Sequence, residues 1–182
     1  MQRQRQAFRV VRDFRRRLVL EPLAQASRRA LTDAGLTPYH AVKRSLGLLV
    51  PGSTAVVIGV GGLGHMGVQF LRELSPATIV AVDQRAEALT LAAEVGAHHT
   101  VTMGEQAAAE IRDATGGRGA DVVVDFVGAD ATLALGAAVA RPLGHLTIVG
   151  IAGGTLPVSY FGIGYEVSVA TTAGQQRPVA VA

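Results

Sequence analysis

Alternating strand-like and helix-like segments predict an α/β fold, a doubly wound parallel sheet of six strands. Three observations carry that prediction. Short runs rich in Val, Ile, Thr and Ala recur at Thr54–Ile58, Thr78–Asp83, His99–Thr102, Asp121–Phe126, His145–Gly150 and Val167–Ala170. Helix-like stretches lie between them, from near Gly62 onward, over Arg85–Val95, over Glu105–Ala114 and over Ala131–Ala140. A glycine-rich run, finally, joins the first strand directly to the first of these helices. Strands alternating with helices in this way imply parallel pairing through right-handed crossovers, with strand order 3-2-1-4-5-6.

Each element has its own local reason. Pro51-Gly52 makes a turn ahead of Thr54–Ile58, whose run is apolar throughout, as a strand covered on both faces must be. In the following helix Leu63, Met66, Gly67, Phe70, Leu71 and Leu74 fall on one face, the spacing of a helix packed on a sheet. Gly96 ends the next helix, and Thr115-Gly-Gly-Arg-Gly119 turns into the fourth strand. That last run precedes a strand and has no helix start beside it, so it reads as a turn and not as an anion cradle. Ala131–Ala140 is rich in Ala and Leu, good helix formers, and Gly153-Gly154 punctuates the chain after strand five.

Composition narrows the class. A chain of 182 residues, 49% hydrophobic but only 4% aromatic, suits one domain built from small aliphatic side chains between helices and a parallel sheet. No run approaches the roughly 20 apolar residues of a membrane span, so the expectation is a soluble protein with no membrane partner. Cys is absent, which removes disulfides and thiolate metal sites and leaves cytoplasmic as the default compartment. The net charge of +3 hides an asymmetry: residues 1–30 carry nine Arg against Asp13 and Glu21, for +7, and the remainder carries −4.

The chain thus divides into an Arg-rich leader (1–30), a dinucleotide-binding domain (31–172) and an atypical tail (173–182). A transit-peptide-type start and a nucleic-acid-binding arm are two readings of the leader. Its lack of aromatic interleaving beyond Phe8 and Phe14 weighs against nucleic acid as a partner. A solvated extension, or sequence foreign to the domain, is the preferred alternative.

The chemistry lies in Gly59-Val60-Gly61-Gly62-Leu63-Gly64. A G-x-G-x-x-G run that ends a strand and opens a helix lets the first Gly turn, the second admit a pyrophosphate close to the backbone, and the third pack helix on strand. The phosphates then meet N–H groups at the positive helix end. Asp83 ends the second strand 19 residues after Gly64, close to the roughly 20 expected of an acid that binds the ribose hydroxyls. These features predict a Rossmann domain that binds NAD, since a carboxylate accepts from a free 2′-hydroxyl and repels a 2′-phosphate. Arg85, two residues on, pulls the other way, because it is placed to meet such a phosphate.

The stretches Leu31-Thr-Asp-Ala-Gly-Leu-Thr-Pro-Tyr-His-Ala41, Pro51–Gly64, Thr115–Gly128 and Gly144–Gly150 resemble the zinc-dependent medium-chain alcohol dehydrogenases. The resemblance runs from about Leu31 to Thr171 and covers the nicotinamide-binding domain alone. It implies that Thr37 contacts nicotinamide and has the catalytic role here, that Phe126, Val127 and Ile151 line the cofactor, and that Asp33 stands where the family places a catalytic-zinc ligand. It also implies a small alcohol or carbonyl substrate for the intact enzyme, and a homodimer through the exposed strand Val167–Ala170.

Departures from the family limit what is expected of these residues. One candidate ligand cannot hold zinc, and the family's remaining ligands belong to a catalytic domain not matched here. The expected reading is therefore an NAD(H)-binding domain, inactive alone, from a dehydrogenase truncated or frame-shifted on each side. The alternative is a non-enzymatic dinucleotide-binding module or a cofactor subunit completed by a separate catalytic chain.

Other polar residues divide between sharp and bland readings. His98 and His99 are adjacent on a strand and point to opposite faces, which opposes metal ligation. His65 is read as a surface or packing residue, because a charged His is disfavoured at a helix start. Tyr39 and His40 stay open between substrate pocket and helix packing. Asp121 and Asp125 bracket strand four and do not converge for acid–base work, and Asp125 lies near the cofactor edge.

Overall fold

The computed structural model describes residues 25–172, with side chains from Gly35 onward. Most of the leader and the whole tail lie outside the described residues. The chain forms two compact units, 1–34 and 35–182. In the first, the described part is helical backbone from Gln25 that runs on as helix α1 (Gln25–Ser45).

The second unit holds the sheet. Its strands are β1 (Thr54–Ile58), β2 (Thr78–Asp83), β3 (His99–Thr102), β4 (Ala120–Asp125), β5 (Ala140–Ile148) and β6 (Ser168–Thr171), and the helices between them are α2 (Gly64–Leu74), α3 (Ala86–Glu94), α4 (Ala107–Ala114) and α5 (Asp130–Val139). All five strand pairs are parallel and the order is β3-β2-β1-β4-β5-β6, the order expected from sequence. Six strands and four crossover helices stand where the sequence placed them, within one or two residues at most ends.

Helices cover both faces. α2 and α3 contact each other on one face, α4 and α5 on the other. β1 is buried along its whole length, as its unbroken apolar run requires. Val56, Ile58, Val80, Val82, Val123 and Leu146 form the sheet side of the core under Ile111 of α4 and Leu135 and Val139 of α5. On the opposite face Gly35 of α1 lies against Met66 of α2, where an added Cβ would sit 3.2 Å from the Met66 methyl. Tyr39 packs edge-on against Phe70 at 5.5 Å.

The one sizeable correction concerns the junction of α5 and β5. The helix was expected to reach Ala140 and the strand to start at His145, yet Ala140 is extended and already pairs with Ala120. Pro142 explains the change: it cannot extend a helix, and it pushes the residue before it toward extended backbone. The register then slips between Ala120 and Val122, and Leu143 takes a φ of 64° as the chain re-enters the ladder at His145. At the other end Phe126 lies just past β4, although its N–H still donates to the Ile58 carbonyl at 2.8 Å.

Among the described residues no helix is long and apolar enough to cross a membrane.

Candidate functional site

The carboxyl ends of β1, β2 and β4 open onto a cleft of about 780 Å³. Open α/β sheets bind ligands at this edge, where the strand order reverses between β1 and β4. Gly59, Gly61, Gly62, Leu63, Gly64, Asp83, Phe126, Val127 and Ile151 all line it, which brings together nine of the residues singled out from sequence.

The glycines divide by role. Gly59 has a φ of 84°, and a Cβ there would fall 2.4 Å from the Val127 methyl. Its N–H donates to the Val82 carbonyl at 2.8 Å, so the turn is fixed as β1 ends. A Cβ on Gly64 would overlap the Gly59 carbonyl oxygen, which is the close helix–strand approach that only glycine allows. Gly61 and Gly62 differ, since a Cβ on either would meet nothing within 4 Å. Their glycine character is not required by the fold, and the space beside them is the cleft itself. Among the described residues, the N–H groups of Gly61, Gly62 and Leu63 donate to no protein acceptor. Three open donors at the start of an eleven-residue helix make a seat for an anion.

Across the cleft stands Asp83, whose side chain is only 8% exposed. Its Oδ2 accepts the Val60 N–H at 2.8 Å, and its Oδ1 accepts the Arg85 N–H at 3.0 Å and the Arg85 Nε–H at 3.2 Å. Burial pushes this carboxyl up, but the bonds from Arg85 and Val60 outweigh it and hold the group below the usual carboxylate value. Asp83 is therefore ionised at neutral pH and ties the glycine turn to β2.

Phe126, Val127 and Ile151 form the far wall. Asp125 shapes it from beneath: fully buried, it accepts at Oδ1 from Val127 N–H at 2.7 Å and Gly128 N–H at 3.0 Å. Ile151 stands at the rim, 96% exposed. Met103, Gln84 and Thr132 also line the cleft and were not foreseen. Met103 directly follows β3, and the position after a strand's carboxyl end was the available signal.

Several singled-out residues lie elsewhere. Thr37 is half-buried on α1 and is not part of the cleft lining. The side chain of Asp33 lies outside the described residues. Tyr39 takes the packing reading, while the His40 Nε2 is buried without a partner. His65 is turned back, its Nδ1–H donating to the Gly61 carbonyl at 2.8 Å. His98, just ahead of β3, accepts the Ile79 N–H of β2 at Nδ1. Asp121 accepts from Thr54 N–H, Arg118 and Arg141 at the opposite sheet edge, far from any converging acid. Among the described residues no three His, Cys, Asp or Glu side chains gather to hold a metal, so zinc finds no ligand set there. The NAD expected from the sequence does fit: an open anion seat, room for a backbone approach and an ionised acid line one cleft.

Comparison with known proteins agrees with this geometry. The family described as zinc-binding dehydrogenase matches residues 62–178. The NAD-dependent alcohol dehydrogenase of Sulfurisphaera tokodaii is 39% identical over 139 residues, 75% of this chain and 40% of that protein. The sorbitol dehydrogenase of Bacillus subtilis is 36% identical over 123 residues, 67% of this chain and 34% of that protein. Among solved structures, the alcohol dehydrogenase of the hyperthermophilic archaeon Aeropyrum pernix superposes with a TM-score of 0.72 at 39% identity, over 78% of this chain and 41% of that one. The chain thus spans about two fifths or less of these relatives' length. A match that begins inside the glycine cradle and takes in β2 through β6, on a fold shared with a solved alcohol dehydrogenase, places this chain in the zinc-binding dehydrogenase family.

Proposed function

We propose that the chain is the NAD(H)-binding domain of a zinc-dependent alcohol dehydrogenase, an oxidoreductase that interconverts an alcohol with an aldehyde or ketone. The observation that carries this reading is the pairing, in one cleft, of three unengaged N–H groups at Gly61, Gly62 and Leu63 with an ionised Asp83. The N–H groups would hold the pyrophosphate, and Asp83 would accept from a ribose hydroxyl. Phe126, Val127 and Ile151 would line the ring; Thr37, which lies outside the cleft lining, is proposed as a ring contact by family resemblance alone. Nicotinamide, when bound, supplies the hydride acceptor or donor; the protein's share is orientation and an apolar wall.

The alcohol substrate rests on the relatives' names. Asp33 remains the proposed zinc-ligand position by family resemblance. No step is assigned to zinc, since the described residues do not assemble its site.

Competition tests the cleft reading. NADH bound to the chain should be displaced by ADP-ribose, because cradle and acid both act on that half of the molecule. NADH that binds but resists saturating ADP-ribose would contradict it.

A homodimer through β6 is the accompanying proposal. Among the described residues β6 pairs with β5 alone and closes the sheet order, leaving its outer edge open with Val169 39% exposed. Such an edge is a template for pairing with a second copy. Light scattering should give twice the chain mass, falling to one chain in Val169→Pro; a monomer in the unaltered protein would contradict the pairing.

A further inference from the structure

Gly61 and Gly62 have no steric hold on their conformation. A Cβ on either would meet nothing within 4 Å, and glycine turns freely about both of its backbone bonds. An anion seat nevertheless needs the peptide between them set one way. In a planar trans unit the Gly61 carbonyl and the Gly62 N–H point in opposite directions, so the direction of one fixes that of the other. The Gly62 N–H is one of the three open donors of the seat.

His65 holds that carbonyl. Its ring Nδ1 lies 2.8 Å from the Gly61 oxygen, and its backbone N–H donates to the same oxygen at 3.2 Å. A carbonyl oxygen can only accept, so the ring hydrogen sits on Nδ1. The backbone bond is one that any residue at position 65 could make; the shorter ring bond depends on histidine. Both draw the Gly61 oxygen toward α2, which turns the Gly62 N–H away from the helix and toward the cleft that Gly62 lines. The Gln69 side-chain amide donates in turn to the His65 carbonyl at 3.2 Å, one turn further along α2. The ring itself is half-buried and does not line the cleft, so it is not a ligand for phosphate.

We propose that His65 is a positioning residue for the anion seat: its ring N–H clamps the Gly61 carbonyl and thereby aims the Gly62 N–H at the pyrophosphate of the cofactor. The proposal rests on the dinucleotide reading of the cleft and deepens it, because it makes phosphate affinity depend on a side chain outside the lining.

The test compares the purified 182-residue chain with His65→Ala, His65→Gln and His65→Asn, by NADH fluorescence and by displacement of NADH with ADP and with adenosine. ADP carries the pyrophosphate group and adenosine lacks it. Alanine removes the ring donor, glutamine carries its amide past the Nδ1 position, and asparagine places an N–H close to it. In His65→Ala and His65→Gln the Kd values for NADH and ADP should rise about fivefold or more, while that for adenosine changes less than about twofold. His65→Asn should stay within about twofold of the unaltered chain for all three ligands. The Gly62 amide resonance should move on addition of inorganic pyrophosphate to the unaltered chain and to His65→Asn, and clearly less in His65→Ala. Adenosine weakened as much as ADP, NADH affinity unmoved in His65→Ala and His65→Gln, or asparagine no better than alanine each overturns the proposal and leaves the dinucleotide reading standing. Failure of the unaltered chain to bind NADH overturns both. Urea midpoints check that the variants are folded, and His65→Gln carries the comparison where alanine lowers the midpoint.

Discussion

The backbone N–H of Val60 donates to Asp83 Oδ2 at 2.8 Å, across 23 residues of sequence. One carboxylate thereby positions the glycine turn, takes the Arg85 guanidinium and faces the cleft. The acid that is to read a ribose also keeps the cradle at its distance from β2. Loss of Asp83 should therefore act on binding twice, through the missing acceptor and through a loosened turn.

The two kinds of glycine in the motif should separate experimentally. Gly61→Ala meets no protein atom within 4 Å, so its urea midpoint should match the unaltered chain while NADH affinity falls, the methyl standing where a pyrophosphate would approach. Gly64→Ala drives a Cβ into the Gly59 carbonyl and should cost at least about 1–3 kcal/mol, the usual range for overpacking. Equal stability losses in the two variants would remove the distinction.

Asp121 is a structural hub, and acid should expose it. It is buried and accepts from Thr54 N–H at 2.7 Å, from Arg118 at 2.8 and 2.9 Å and from Arg141 at 2.6 Å. Burial raises its pKa, but Arg118, Thr54 and Arg141 together bring it below the ordinary 3.8. A depressed carboxylate stabilises the fold above its unfolded pKa and loses that contribution as pH falls through the folded one. Stability measured by urea unfolding should fall as pH drops below about 4, less steeply in Asp121→Ala. At pH 7 that variant should lose about 2–4 kcal/mol, as partners of a buried carboxylate are left unpaired. An unchanged urea midpoint at pH 7 would show that the hub carries no weight.

Asp125 supports the cleft wall without lining it. Its Oδ1 collects the N–H groups of Val127 and Gly128, so Asp125→Ala strands one buried and one part-buried donor and should cost about 2–3 kcal/mol. NADH affinity should fall with it, because Val127 is part of the wall. Asp125→Asn keeps the accepting oxygen and should lose clearly less on both measures.

Most of the sheet was legible because its signals are local. Thr54–Ile58 and Thr78–Asp83 carry the apolar stretches Ala55–Ile58 and Ile79–Val82, and the cradle follows the first of them without a gap. The junction at Ala140 was misread because Ala-rich sequence suits a helix until Pro142 intervenes, two residues past the boundary. Helix α1 was not among the elements read from the sequence, and Pro38 inside it is a helix-breaking signal. In the site, Asp83 could be found by its spacing alone. Its bonds to Val60 and Arg85 could not, because they depend on where a tertiary turn places one N–H. Met103 carried no chemical signal and is recognised only once β3 is seen to end at the cleft.

NADH fluorescence, titrated with the purified chain and with Asp83→Ala, is the most direct measurement, and the absence of Trp leaves the cofactor emission clear. Saturable binding by the unaltered chain, weakened at least about tenfold in the variant, is the expected result. Saturation with equal affinity in both proteins, or no saturation in the unaltered chain, would contradict a dinucleotide site built on Asp83 and the glycine cradle.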